Sequence, residues 1–354
     1  MTALLPATKR LIDGLFHGAS SAVARTSLAR SITLVESTLP RDRFQAELLL
    51  DHVLEQRKAL AASTTTSGTP HGHAASFRIG IAGPPGAGKS TFIETLGLSL
   101  TKKGHKVAVL AIDPSSSVTG GSILGDKTRM THLSNSPDAF VRPSPTRGTL
   151  GGVAQHTNEI VLLCEACGYD IVLVESVGLG QSEIIIDDTV DMVMLLVPPA
   201  GGDELQGSKK GIMEIADVVV VNKADGELKT PAKHTAVDYM HALQLARRKE
   251  PEWKPTVKMC SAREGDGIDG VWDVLTEFRK TMNAVHKIEA KRARQSSKWM
   301  WNQLHQELMA MAKKNAYVKH EAATLAPDLA HGFISPRSAA RKLLEDFLAH
   351  PKNK

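Results

Sequence analysis

The chain is poor in cysteine, with three among 354 residues, and it has no long apolar run. Cys164, Cys167 and Cys260 are too few for a disulfide framework, which points to a reducing compartment. The longest apolar runs, in "IVLVES" and "VVVVNK", have the length of strands and fall well short of the roughly 18 residues a membrane-spanning helix needs. A soluble intracellular protein that does not enter the membrane is therefore expected. Aromatic residues are absent from the one strongly basic stretch. Between Arg279 and Lys298 seven Lys or Arg stand against Glu289 alone, a local excess of +6 that exceeds the net +5 of the whole chain. That segment explains the pI near 9.0. Without interleaved aromatics it reads as the solvated face of a helix, and no nucleic-acid partner is expected.

What is present suggests several folding units. The first 39 residues carry Lys9, Arg10, Arg25 and Arg30 among serines, as a transit peptide does, but Asp13 and Glu36 interrupt them. "LARSITLVEST" and "RDRFQAELLLDHVLEQRKAL" read instead as amphipathic helices of an N-terminal helical region, residues 1–60. A polar tract with His71 and His73 marks a linker, residues 61–76, and two histidines alone make no metal site. From 77 to 269, short apolar runs alternate with helical segments: "FRIGIAG", "HKVAVLAID", "YDIVLVES", "DMVMLLVP", "DVVVVNKAD" and "PTVKMCSA". This pattern implies an α/β domain with a mainly parallel sheet covered on both faces, whose ligands sit at the carboxyl ends of the strands. Residues 270–354 read as helical throughout. Trp299, Leu304, Leu308 and Met311 form an apolar stripe there, suited either to packing on the same chain's sheet or to a subunit interface.

"GPPGAGKST", from Gly83 through Pro84, Pro85, Gly86, Ala87, Gly88, Lys89 and Ser90 to Thr91, matches the phosphate-loop pattern G-x-x-x-x-G-K-[ST] between a strand and a helix. Glycines let backbone N–H groups close around phosphates, Lys89 reaches the β- and γ-phosphates, and the Ser90 hydroxyl suits Mg²⁺. "NKAD" follows a strand: the Asp225 carboxylate can accept from guanine N1–H and the 2-amino group, Lys223 lies along the ring, and Asn222 ties the loop down. Adenine would leave that carboxylate unpaired, so GTP is expected. "SAR", Ser261, Ala262 and Arg263, would add backbone contacts to the guanine oxygen.

Mg²⁺ takes a hydroxyl, a carboxylate or two, and waters. The candidates are Ser90, Asp113, Asp126 and Glu175. Asp113 ends the strand after the phosphate-loop helix, which suggests that this strand neighbours the phosphate-loop strand. Glu175 ends a buried strand and opens "VESVGLGQSE"; its extra methylene reaches the metal's water shell or the attacking water from a more distant strand end. Gly178 would let a backbone N–H approach the γ-phosphate, with Gln181 or Glu183 sensing its loss. In "PPAGGDELQGSKKGI", Asp203, Gln206 or Lys209 could be brought to the nucleotide, where a lysine would stabilise charge on the transferring group; an ordinary surface loop is the other reading.

With these residues in place, the chain resembles the methylmalonyl-CoA mutase-associated GTPases, also labelled ArgK-type or LAO/AO transport ATPases. The resemblance runs from about Leu28 to the C-terminal helices, on "GPPGAGKSTFIE", "AIDPSSSVTGGSILGDKTRM", "RPSPTRGTLGGVA", "VESVGLGQSE", "GGDELQGSKKGI" and "NKAD". It implies a P-loop GTPase domain and a homodimer built through the C-terminal helices. It implies Mg²⁺-dependent conversion of GTP to GDP in the service of adenosylcobalamin-dependent methylmalonyl-CoA mutase, gating cofactor loading and protecting or reactivating that enzyme. It also implies phosphate and magnesium roles for Lys89, Ser90, Asp113, Asp126 and Glu175, and a third switch at 201–210 with Gln206 and Lys209. A mitochondrial matrix location is expected if the source is eukaryotic, cytoplasm otherwise. Two rivals remain. A metallochaperone GTPase of the same class would need a metal store, but there is no His-rich tract, and "CEAC" sits in the apolar helical pattern "EIVLLCEACGY", which reads as core. A P-loop kinase or ATPase linked to amino-acid transport would have no need of "NKAD".

Overall fold

The computed structural model describes residues 3–64, 76–114, 130–146, 152–176, 186–199, 210–246 and 248–350. The strands are β1 (Phe77–Ala82), β2 (Val107–Pro114), β3 (Ala139–Thr146), β4 (Ile171–Glu175), β5 (Met192–Val197), β6 (Val218–Val221) and β7 (Thr256–Met259). They pair in parallel in the order β3-β2-β4-β1-β5-β6-β7. Their near-continuous apolar character follows from burial on both faces. Ile79, Ile81 and Leu173 pack with Phe92, Ile93 and Leu96 of α4 (Lys89–Lys102) in one core. Val172 and Val174 share the opposite core with Leu28, Ile32 and Leu49, from two of the N-terminal helices α1 (Pro6–Leu15), α2 (Ala22–Val35) and α3 (Pro40–Thr64). The expected α/β class with N-terminal helices and a helical C-terminus is the observed one. No helix among the described residues is long and apolar enough to cross a membrane.

Two details of the sheet differ from what the sequence leads one to expect. The strand ending near Asp113 does not neighbour the phosphate-loop strand: β4 lies between them, with Ile171 level with both Phe77 of β1 and Val107 of β2. β4, fully buried from Ile171 to Val174, takes the interior position, and β2 lies one place further from β1. The other difference is β3, absent from the expected strands because its second half is "PSPT". Proline has no N–H to donate to a ladder and is tolerated where no neighbouring strand needs one, and β3 pairs only with β2, at the sheet edge.

The basic run also departs from its expected role as a solvated face. Arg292 is buried and donates 2.7 Å hydrogen bonds to both carboxylate oxygens of Asp191, and a further one of 2.9 Å to the carbonyl of Ser76. Lys291 pairs with Asp187 at 2.8 Å and Lys287 with Glu250 at 2.9 Å. These carboxylates lie far away in sequence, so a local charge count could not register them. Of the seven cations, Lys280, Arg294 and Lys298 are the exposed ones. Near this cluster Arg78 and Arg57 both grip Glu165, tying β1 and α3 to α6 (Gly152–Ala166).

The chain forms two compact units, Met1–Arg292 and Ala293–Lys354. After α9 (Ile268–Ala284) comes α10 (Lys287–Lys314), which runs across the boundary between the two units; α11 (Ala316–Ala330) and α12 (Pro336–Ala349) belong to the second. Asn315 caps α11 by accepting from the N–H groups of Tyr317 and Val318. In the apolar stripe of α10, Leu304, Leu308 and Met311 are exposed at 46%, 46% and 51%, and Trp299 is half-buried.

Candidate functional site

The candidate residues within the described regions gather at the carboxyl ends of the strands. Gly83 follows β1, Glu175 ends β4, Asn222 follows β6 and Ser261 lies just past β7. The chain after β1 passes so close to β5 that a Cβ on Gly83 would stand 2.1 Å from the Leu196 carbonyl oxygen. Gly86 and Gly88 have φ of +82° and +88°, conformations that glycine adopts without strain. The loop so shaped opens directly into α4, whose first-turn N–H groups and dipole favour an anion. Lys89 is buried, and its Nζ donates to the carbonyls of Gly83 at 2.9 Å and Pro84 at 3.2 Å, so the cation is held over the loop. Pro84 is half-buried, Ala87 buried, and Pro85 and Thr91 exposed.

Beside this loop the Ser90 hydroxyl donates to Glu175 at 3.3 Å. Glu175 is buried at the end of β4, level with Ile81 and Ala111. A hydroxyl and a carboxylate so close together are the hard oxygen donors Mg²⁺ takes, so the residues present fit that ion. The Asp113 side chain lies outside the described residues; its backbone pairs with Pro145, two residues beyond the level of Glu175. Asp126, Gly178, Gln181, Glu183, Asp203, Gln206 and Lys209 lie outside the described residues, as do His71 and His73.

The segments after β6 and β7, expected to read the base, meet the loop after β1 through Asn222. Its Nδ2 donates to the Ala87 carbonyl at 2.9 Å, while its Oδ1 accepts from the Ala262 N–H at 3.0 Å. The contact is tight: a Cβ on Gly88 would stand 2.6 Å from Asn222 Nδ2. Lys223 adopts φ of 56° and is exposed beside this junction. Ser261 donates its hydroxyl to Asp225, and the Ser261 N–H donates to the Asp266 carbonyl at 2.9 Å. The turn 261–265 is further closed by the N–H of Glu264 to the Ser261 hydroxyl and of Gly265 to the Ser261 carbonyl. Arg263 is exposed, and its N–H is the amide of this turn with no partner among the described residues. One contributor carries no mark in the sequence: Thr95 of α4 donates to the Ala262 carbonyl at 2.7 Å. No sequence pattern marks it, because its partner is a backbone atom 167 residues away.

The thiols belong to the core. Burial pushes Cys164 well above its ordinary range and Cys167 up to about 12, and both lie among apolar neighbours. Cys260 is likewise pushed up to about 12 by burial. Among the described residues no three His, Cys, Asp or Glu side chains cluster as a metal site.

A family model described as "Methylmalonyl Co-A mutase-associated GTPase MeaB" matches residues 28–317. The chain is 47% identical over 339 residues to "Methylmalonic aciduria type A homolog, mitochondrial" of Mus musculus, spanning 96% of this chain and 80% of that protein. It is 42% identical over 322 residues to "GTPase ArgK" of Escherichia coli strain K12, spanning 91% and 92%. Among solved structures, that of an LAO/AO transport system kinase superposes with a TM-score of 0.70 at 33% identity, over 97% of this chain and 99% of the other.

Proposed function

The chain belongs to the methylmalonyl-CoA mutase-associated GTPases, and from that membership we propose that it hydrolyses GTP to GDP and phosphate as a chaperone of adenosylcobalamin-dependent methylmalonyl-CoA mutase. It gates cofactor loading and protects or reactivates that enzyme. The observation that carries the nucleotide reading is Asn222, which hydrogen-bonds the phosphate loop through Ala87 and the base loop through Ala262. This linkage suits one ligand that carries both phosphates and a guanine. The kinase reading shares the phosphate loop but has no use for Asp225 beside Ser261.

In this reading Lys89 exchanges its bonds to the Gly83 and Pro84 carbonyls for β- and γ-phosphate oxygens, which charge-assisted bonds favour. The first-turn amides of α4 hold the remaining oxygens. Ser90 and Glu175 hold Mg²⁺, with Asp113 and Asp126 completing the set. When bound, the ion neutralises charge on the phosphates. Glu175 orients water at the γ-phosphate, Gly178 presents its N–H there, and Gln206 and Lys209 stabilise the transferring group when the partner docks. Asp225 reads the guanine edge, Lys223 lies along the ring, and the turn from Ser261 to Arg263 meets the guanine oxygen through a backbone N–H. The exposed stripe of α10 pairs two copies into a dimer.

Steady-state hydrolysis of GTP and ATP, with and without the mutase, tests the proposal alongside nucleotide-dependent co-purification. The expected result is GTP preference, Mg²⁺ dependence and stimulation by the mutase. Equal hydrolysis of both nucleotides, with no response to the mutase, would overturn it.

A further inference from the structure

We propose that Thr95 is a positioning residue for guanine recognition, acting by holding the carbonyl of Ala262 on the helix that leaves the phosphate loop. The inference rests on the guanine-binding reading above and adds to it a residue that makes no contact of its own with the base.

The Thr95 hydroxyl has one proton and two acceptors in reach, the Ala262 carbonyl at 2.7 Å and the Thr91 carbonyl at 3.0 Å. Thr91 precedes it by one turn of α4, and its carbonyl already accepts the helical N–H of Thr95. The Ala262 carbonyl has no such alternative: Ala262 is 3% exposed, and an unmet buried carbonyl is unfavourable. The shorter bond therefore goes to Ala262. In a trans peptide the carbonyl and the following N–H point in opposite directions, and the described chain contains no cis peptide. Fixing the Ala262 carbonyl on α4 thus fixes the Arg263 N–H away from α4. That N–H is the donor of the turn left without a partner among the described residues.

Ala262 is held from both sides. Asn222 takes its N–H and is itself bonded to Ala87 of the phosphate loop, while Thr95 takes its carbonyl from α4, which begins at Lys89. The base loop is thereby registered to the phosphate site through two routes that share no residue except Ala262. Without the Thr95 bond, the turn tilts to bring its carbonyl to water, and the base loop drifts while the phosphate loop stays in place.

Dissociation of N-methylanthraniloyl-GDP, its displacement by ATP, and thermal melting should be measured on the full chain and on Thr95→Val and Thr95→Ser. Valine keeps the shape and loses the donor; serine keeps the donor. Thr95→Val is expected to release the GDP probe about two- to ten-fold faster, the loss of one hydrogen bond, while the ATP competition constant stays within about two-fold. Thr95→Ser should release the probe at the wild-type rate. Unchanged release from Thr95→Val, or equal weakening of GDP and ATP, would show that Thr95 only supports the helix. A wild-type protein that binds GDP no more tightly than ADP would instead refute the guanine reading, and is recognised before any variant is made.

Discussion

The Ser90 hydroxyl lies 3.3 Å from a carboxylate oxygen of Glu175, joining the first turn of α4 to the end of β4. The sheet register explains why a glutamate stands there. Glu175 is level with Ile81 and Ala111, each two residues short of Gly83 and Asp113, or about 6–7 Å along a strand. A side chain at this depth must reach upward to the loop. Shortening it should therefore harm the chemistry more than the binding. Glu175→Asp is expected to lower the rate of Mg²⁺-dependent GTP hydrolysis about 10- to 100-fold and to keep GDP affinity within about three-fold. Single-turnover hydrolysis and GDP titration separate the two effects, and a variant that hydrolyses at the wild-type rate would leave Glu175 a structural residue.

Asp225 accepts from Ser261, which fixes the carboxylate at the base loop. Replacing it by asparagine puts an amide donor opposite the guanine donors. Asp225→Asn should weaken GTP by about 10- to 100-fold, the effect of one unpaired buried polar group, and should favour xanthosine triphosphate, whose second carbonyl accepts where guanine donates. Competition binding of the two nucleotides checks this, and an unchanged preference for GTP would remove Asp225 from base recognition.

Sequence patterning revealed the parts of the fold whose cause is local. Strands buried on both faces are written as uninterrupted apolar runs, and "GPPGAGKST" and "NKAD" mark turns whose chemistry is in their own residues. Order across the sheet is not local. The placement of β4 between β1 and β2 joins segments far apart in the chain, which no single run of residues records, and β3 is masked in the sequence because two prolines are tolerable only at an edge. The pairing of Arg292 with Asp191, 101 residues apart, and the grip of Thr95 on Ala262 depend on topology in the same way. The convergence of Ser90 and Glu175 lies between these cases. Each was visible as the last residue of a pattern, and their closeness followed once both strands were known to be parallel neighbours.

Glu165 gives the fold a dependence on acid. Burial alone would raise its carboxyl, but Arg78 foremost, then Arg292 and Arg57, holds it down at about 2, against an ordinary 4.5. Because the folded value is depressed, the stabilisation is complete above about 4.5 and is lost as pH falls toward about 2; the shift corresponds to about 3 kcal/mol. Urea unfolding of the wild type and of Glu165→Gln across that range should show a steeper loss in the wild type. Parallel curves would mean that the arginines do not act on this carboxyl.

Arg292 meets both oxygens of Asp191, and Asp191 also accepts from the Arg78 N–H at 2.9 Å. Removing the guanidinium leaves a buried carboxylate with one partner fewer, so Arg292→Ala should destabilise the fold by about 3–5 kcal/mol. Arg292→Lys restores the charge without the paired geometry and should recover only part of that. Equilibrium unfolding of the three proteins distinguishes these outcomes, and a loss below about 1 kcal/mol in Arg292→Ala would place the basic segment back on a solvated face.

The apolar stripe on α10 makes a prediction about assembly. Met300, Leu304, Leu308 and Met311 recur at helical spacing and are 58%, 46%, 46% and 51% exposed, with Trp301 beside them at 62%. Apolar surface gathered along one helix is favoured in contact with another such surface, and a second copy of the chain supplies one of identical chemistry. In a two-fold arrangement each substituted residue is present twice, so Leu304→Asp with Leu308→Asp sets like charges against one another and desolvates them. That combination should raise the dimer dissociation constant by more than about 100-fold, several kcal/mol of repulsion. Because the stripe belongs to the unit Ala293–Lys354 and the sheet to Met1–Arg292, the same variant should keep the wild-type melting behaviour of the α/β unit. Sedimentation velocity across a concentration series reads the assembly directly. A wild type that stays monomeric, or a doubly charged variant that still pairs, would mean that another surface carries the contact.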